Sequence, residues 1–171
     1  GRFRRFPLLL KFLDARDTLS VQVHPSDLKT EYIPVGETGK TEAWVVLETG
    51  AKSRIYAGLT HDSTEDKVKK ALGEGTVADR LASFTPKPGD AILIPAGTVH
   101  SLGDVVVFEV QENRDVTFRL FDWAHVDSKT GQPRALQVDQ ALACIGFPQG
   151  PLGPAVPLLP SERPAPRPPP S

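Results

Sequence analysis

The segment Gly89-Asp90-Ala91-Ile92-Leu93-Ile94-Pro95-Ala96-Gly97-Thr98-Val99-His100 reads as strand, tight turn, strand. Three apolar residues, Ile92 to Ile94, run into Pro95-Ala96-Gly97, and the chain resumes at Val99-His100. Proline fixes φ ahead of the turn, and glycine supplies the positive φ that closes it. One imidazole, His100, is thereby held at the start of a strand on a stiff support. Taken alone this is a β-hairpin carrying a histidine. Its meaning depends on the side chains that other strands bring beside it.

Leu19-Ser20-Val21-Gln22-Val23-His24 alternates strictly. Ser20, Gln22 and His24 therefore share one face, and Leu19, Val21 and Val23 the other. Three polar side chains on one strand face either meet solvent or line a cavity. In Gly39-Lys40-Thr41-Glu42-Ala43-Trp44-Val45-Val46-Leu47, Lys40 and Glu42 share a face while Val45 and Leu47 take the opposite one. Gln22, His24, Glu42 and His100 thus come from three separate strands able to converge inside one barrel. Imidazole nitrogens with a carboxylate oxygen suit Zn2+, Fe2+, Mn2+ or Co2+. The Gln22 amide oxygen is a weaker, harder donor, and such a set leaves positions for water or substrate. Singly, Glu42 reads equally well as a surface strand carboxylate. His24, ahead of Pro25-Ser26-Asp27, reads as a strand-end residue in a turn.

With 171 residues the chain fits one domain with room for a core. The formal net charge of −1 argues against a general nucleic-acid or anionic-membrane binder. No apolar run approaches the ~20 residues of a membrane span. Phe6 to Leu10, behind Arg2, Arg4 and Arg5, faintly resembles a signal peptide, but it is short and has no small-residue cleavage site. A buried strand is the expectation there. The single Cys144 excludes an internal disulfide and suits a reducing, cytoplasmic setting. The absence of methionine makes Gly1 no translation start, so the sequence reads as a processed chain or a fragment.

Two strands are expected between Phe6 and Val23, joined by the polar turn Asp14-Ala15-Arg16-Asp17. Thr41 to Leu47 and Ile55 to Leu59 predict further strands. Asp62-Ser63-Thr64-Glu65-Asp66 opens a helix whose apolar stripe is Val68, Ala71 and Leu72, with Gly73 and Gly75 ending it. Thr76 to Ala82 predicts a second short helix. Strands return at Ala91 to Ile94, Val99 to Leu102, Val105 to Gln111 and Val116 to Phe121. A last helix carries Val138, Ala141, Leu142 and Ile145 on one face. The expected organisation is a barrel domain over 1–147 and a proline-rich, disordered tail over 148–171 with polyproline-II character.

The Pro95-Ala96-Gly97-Thr98-Val99-His100 turn resembles the second signature of the cupin barrels, in which that histidine is a metal ligand. Together with Leu19-Ser20-Val21-Gln22-Val23-His24-Pro25, Gly39-Lys40-Thr41-Glu42 and Glu109 through Trp123, it resembles type I mannose-6-phosphate isomerase, a zinc cupin, from about Phe6 to Phe147. The resemblance implies a mainly β, jelly-roll barrel with short helices. It implies one zinc ion on Gln22, His24, Glu42 and His100. It associates Lys11 and Ser20 with a substrate phosphate, and it places Lys40, Glu109 and Arg119 in the active site. The family's Asn-Ser-Asp-x-x-x-Arg pattern reads here Asn113-Arg114-Asp115-Val116-Thr117-Phe118-Arg119, with a bulky cation at Arg114 in place of serine. Extra sequence that family members carry before Phe6 and after the helix near Gln137 is expected to be missing. A folded but less stable, association-prone chain is expected in consequence.

The implied reaction interconverts mannose 6-phosphate and fructose 6-phosphate through an enediol. A divalent metal near O1 and O2 would offset developing charge. Metal-bound water, Glu109, Lys40 and a histidine each remain eligible as general base. Lys11, Ser20 and Arg119 are the candidates for holding a phosphate. From residue type alone, Lys11 could snorkel from a strand end, Arg119 could pair with Asp115 or Asp122, and Glu109 could be a buried carboxylate with a structural partner. Two other readings stand beside the isomerase. One is a non-catalytic metal cupin that binds a sugar phosphate. The other is an iron-dependent oxygenase, for which Lys11, Ser20 and Arg119 have no obvious use.

Overall fold

In a computed structural model, the structure describes residues 6–33, 35, 38–126 and 130–155. Seven antiparallel strands form one sheet, with two short helices packed beside it. The long central pair is β3 (Glu42–Leu59) and β6 (His100–Glu112). On the far edge of β3 lie β5 (Ala91–Ile94) and β4 (Leu81–Phe84). Along the far edge of β6 lie β1 (Leu8–Ala15) and β2 (Val21–Val23), and β7 (Phe118–Phe121) pairs with β2. Helix α1 (Glu65–Glu74) starts at Thr64, whose side chain accepts from Lys67 N–H, and stops at the left-handed Gly75. Helix α2 (Val138–Cys144) buries Ala141, Leu142 and Cys144.

Two apolar clusters hold the sheet. Trp44, Val46, Ile55, Ile92, Ile94, Leu102 and Val107 pack on the inner face of β3, β5 and β6. Val21, Val23, Leu59, Leu120 and Leu142 join β2, β3, β7 and α2, with Val68 of α1 in the same cluster. Period-two alternation sets the inner face. Trp44 and Val46 on β3 oppose Glu109 and Val107 on β6, so each strand carries its buried side chains and its site residues on the same side.

Several sequence expectations need correction. The segments 41–47 and 55–59 belong to one strand, β3, whose pairing with β6 is broken by two register shifts. The strands expected at 99–102 and 105–111 are likewise one strand, β6. It continues through Gly103, where a Cβ would sit 2.6 Å from Thr18 Cα, so only glycine fits. The helix expected at 76–82 is a 3-10 turn over Val77–Arg80 running into β4. The two strands expected between Phe6 and Val23 are present as β1 and β2, and both pair with β6. The reading of 148–171 as a disordered tail starts too early. Leu152 N–H donates to Ala57 O at 3.0 Å, and Leu152 packs against the inner cluster. Ala155 N–H donates to Ala91 O at 2.6 Å. The rest of that reading, 156–171, lies outside the described residues.

β1 is not the buried strand expected. Its outward residues Leu8, Leu10 and Phe12 are exposed, Phe12 to 74%. They continue across Val106, Phe108 and Val110 to Val45 and Leu47. Apolar residues thus occupy both faces of this part of the sheet, and a continuous apolar run cannot say which face is covered. The consequence is measurable. Phe12→Ala should cost only about 1 kcal/mol, the scale of its ring contact with Phe108 at 5.3 Å. Leu120→Ala, in the core, should cost about 2–5 kcal/mol. A chemical denaturation series in which Phe12→Ala matches Leu120→Ala would show that this face is covered in solution.

Candidate metal centre and cavity

His24, Glu42 and His100 are all buried, and their ligand atoms lie within 4.8 Å of one another. His24 follows β2, Glu42 opens β3 and His100 opens β6. Gln22 pairs directly with His100 in the β2–β6 register, and its amide nitrogen lies 3.2 Å from His100 Nε2. The two imidazoles sit 4.8 Å apart, centre to centre, and Trp44 meets His100 edge-on at 5.6 Å.

Each imidazole has one nitrogen committed to a backbone carbonyl. His24 Nδ1 faces Val116 O at 2.9 Å, and His100 Nδ1 faces Thr98 O at 2.9 Å. A carbonyl can only accept, so both Nδ1 atoms carry the proton. Both Nε2 atoms then offer lone pairs toward Glu42. Its Oε1 lies 3.2 Å from His24 Nε2 and its Oε2 3.7 Å from His100 Nε2. His24 Nε2 is buried and makes no hydrogen bond. The Gln22 amide nitrogen meets the His100 lone pair and the Lys40 ammonium meets Glu42 Oε1, but the His24 lone pair faces the carboxylate with no donor between them, a repulsion that a cation would relieve. The donor set therefore fits a divalent metal, with the second nitrogen of each ring fixed as metal-binding histidines require.

Burial, assisted by the charge of His24 and opposed by Glu42, pushes His100 down from 6.5 to about 4. Burial acts to raise Glu42, but the surrounding histidines and the Lys40 ammonium hold it well below the usual carboxylate range. Both shifts act in one direction. Between pH 6.5 and about 4 the unfolded chain takes up a proton at His100 that the folded chain refuses, and below 4.5 the same holds at Glu42. The metal-free chain should lose on the order of 2–3 kcal/mol of stability as pH falls through that window. Urea midpoints that stay flat from pH 7 to pH 4.5 would contradict it.

Beside this centre is a cavity of about 240 Å³. Its wall includes Lys11, Ser20, Gln22, Lys40, Glu42, His100 and Glu109. Lys11 Nζ lies 3.0 Å from Glu109 Oε1 and donates to Gln111 Oε1 at 3.0 Å. Lys40, 6% exposed, places Nζ 2.8 Å from Glu42 Oε1. Arg119 stands apart. It pairs with Gln22 in register, yet its Nη1 donates to Ala135 O at 2.9 Å, and it does not line the cavity. Asp122 is instead held by Arg134, whose Nε donates at 2.7 Å. Arg114 donates through Nε to Thr38 Oγ1 at 2.8 Å and also stays off the cavity wall.

The sequence reading missed Trp44, Ser101, Gln111, Asp115 and Thr117, which also line the cavity. Two of them carried a signal. Trp44 is two residues beyond Glu42, and Gln111 two beyond Glu109, so strand alternation places each pair on one face.

A cupin-type fold with a His-Glu-His cluster able to hold a metal, beside a polar cavity, is the class that fold and site define. Over that barrel the chain is homologous to the mannose-6-phosphate isomerases. It is 36% identical over 148 residues to mannose-6-phosphate isomerase ManA of Bacillus subtilis, covering 86% of this chain and 46% of that protein. It is 37% identical over 141 residues to the mannose-6-phosphate isomerase of Streptococcus mutans, covering 80% of this chain and 43% of that protein. The crystal structure of the Bacillus subtilis mannose 6-phosphate isomerase superposes with a TM-score of 0.78 at 34% identity, over 87% of this chain and 47% of that one. The chain thus spans about half the length of the relatives it matches. No family model matches the sequence.

Proposed function

We propose that this chain carries the metal centre and sugar-phosphate cavity of an aldose–ketose isomerase that interconverts mannose 6-phosphate and fructose 6-phosphate. The observation that carries the reading is the cluster of His24, Glu42 and His100, of which Glu42 and His100, with Gln22, line a cavity that also receives Lys11, Ser20, Lys40 and Glu109. In this reading the ion is zinc, and His24, Glu42, His100 and, through its amide oxygen, Gln22 would hold it. Bound there, zinc supplies Lewis acidity toward the O1 and O2 oxygens of the open-chain sugar. Lys11 and Ser20 receive the phosphate through charge-assisted and hydroxyl donors.

The proton leaves C2 and returns at C1. Neither histidine can carry it, because Nδ1 of each is tied to a carbonyl and Nε2 faces the metal position. Glu109, a buried cavity carboxylate, takes the proton from C2 and gives it back at C1, while the Lys40 ammonium in the same lining is a hydrogen-bond donor for the sugar oxygens. The cytoplasm, where such sugar phosphates are metabolised, is the setting this reading implies.

The test is an isomerisation assay on the zinc-loaded chain, with mannose 6-phosphate as substrate and fructose 6-phosphate as the product followed. Turnover that disappears with a chelator and returns with zinc supports the reading. Stoichiometric zinc and sugar-phosphate binding without turnover favours the second reading, a non-catalytic sugar-phosphate cupin. One observation speaks for that alternative: Arg119 gives Nη1 to Ala135 O and is not among the residues lining the cavity. Lys11→Ala should weaken mannose 6-phosphate roughly tenfold to a hundredfold, on the order of 1.5–3 kcal/mol, while leaving mannose unchanged. Calorimetry showing equal losses for both sugars would remove Lys11 from the phosphate end.

A further inference from the structure

The Pro95–Thr98 turn touches both histidines of the centre. Gly97 N–H donates to the carbonyl of His24 at 2.8 Å, and Thr98 O takes the His100 Nδ1 proton at 2.9 Å. Gly97 is in the left-handed region, φ 86°, and is buried. The turn is itself gripped from the far side by the 3-10 turn Phe147–Gln149, just past α2. Gly146 N–H donates to Gly97 O at 2.9 Å. The Gln149 amide spans the turn: Nε2 donates to Ala96 O at 3.1 Å, and Oε1 accepts from Thr98 Oγ1 at 3.1 Å. Thr98 is 2% exposed, so its hydroxyl depends on that acceptor.

We propose that Gln149, remote from the cavity, is a positioning residue for the metal centre, clamping the turn that orients His24 and His100 together. The proposal rests on the reading of His24, Glu42 and His100 as metal ligands. A clamp on one turn fixes two ligands because Gly97 and Thr98 are adjacent and each contacts a different histidine. Gln149 itself is exposed, so its replacement removes the clamp without opening a cavity in the core.

The experiment compares wild type with Gln149→Met, which keeps length and loses both hydrogen bonds, and with Thr98→Val and Thr98→Ser. Zinc affinity is measured by chelator competition, and exchange of the Gly97 amide by NMR on the metal-free chain. Gln149→Met should weaken zinc about three- to tenfold and speed Gly97 exchange several-fold, with a melting temperature close to wild type. Thr98→Ser should behave as wild type, and Thr98→Val combined with Gln149→Met should be no worse than either alone. Wild-type zinc affinity and wild-type Gly97 exchange in Gln149→Met would overturn the proposal. If wild type binds no zinc, the metal reading fails, and unchanged Gly97 exchange in Gln149→Met would still overturn the clamp separately.

Discussion

His100→Ala should reduce bound zinc from one ion per chain to none. His100 supplies one of the two imidazole lone pairs aimed at Glu42, and its ring is held by Thr98 O on one side and Trp44 on the other. Structural zinc in zinc-finger peptides binds with about 10–16 kcal/mol; a set of two imidazoles, a carboxylate and an amide has no thiolate and starts weaker, so losing one imidazole, on the order of 10²–10³ in affinity, leaves the ion too weakly held to survive gel filtration. Substitution by alanine also opens space beside Trp44, which alone could unfold the chain locally. His100→Gln fills most of that space and still lacks the imidazole. Both variants should therefore lose zinc in metal analysis after gel filtration, while His100→Gln keeps more of the melting temperature. Full zinc occupancy in His100→Gln would show that the ion sits elsewhere.

Most of the centre was readable because strand alternation and one rigid turn determine it. Ser20, Gln22 and His24 share a face by period two, and so do Lys40 and Glu42. The Pro-x-Gly turn places His100 across from Gln22 in the observed register. What could not be read depends on facts outside any one strand. Leu8, Leu10 and Phe12 look like core residues, but among the described residues β1 pairs only with β6 and its outer face meets solvent. β6 runs unbroken through Gly103 and Asp104, and Thr18 packs so close to Gly103 that only glycine fits there, a contact invisible from either segment. Arg119 lies beside Gln22 as the pattern suggests, yet the carbonyl of Ala135 in a distant loop takes its guanidinium. Gln149 sits in what looked like a proline-rich tail, and only the fold shows it gripping the turn on which His100 depends.

Glu42→Gln should destabilise the metal-free chain by about 3–5 kcal/mol, because it strips the buried Lys40 ammonium of the carboxylate 2.8 Å away. A new amide hydrogen bond to the His24 Nε2 lone pair would return at most about 1 kcal/mol of that. The same substitution removes the only anionic donor of the metal set, so zinc should be lost as well. Stability and metal binding separate in the partner variants. Glu42→Gln combined with Lys40→Met buries neither charge and should regain most of the lost stability while still failing to bind zinc. Lys40→Met alone keeps the donor set and removes an ammonium that competes for the same Glu42 oxygen, so zinc should bind at least as tightly as in wild type. Chemical denaturation of the metal-free proteins and chelator competition on the reloaded ones measure the two effects independently. If the double variant is no more stable than Glu42→Gln, Lys40 is not the group that Glu42 neutralises. If Lys40→Met loses zinc along with Glu42→Gln, the ammonium is part of what shapes the metal site and does not compete with the ion.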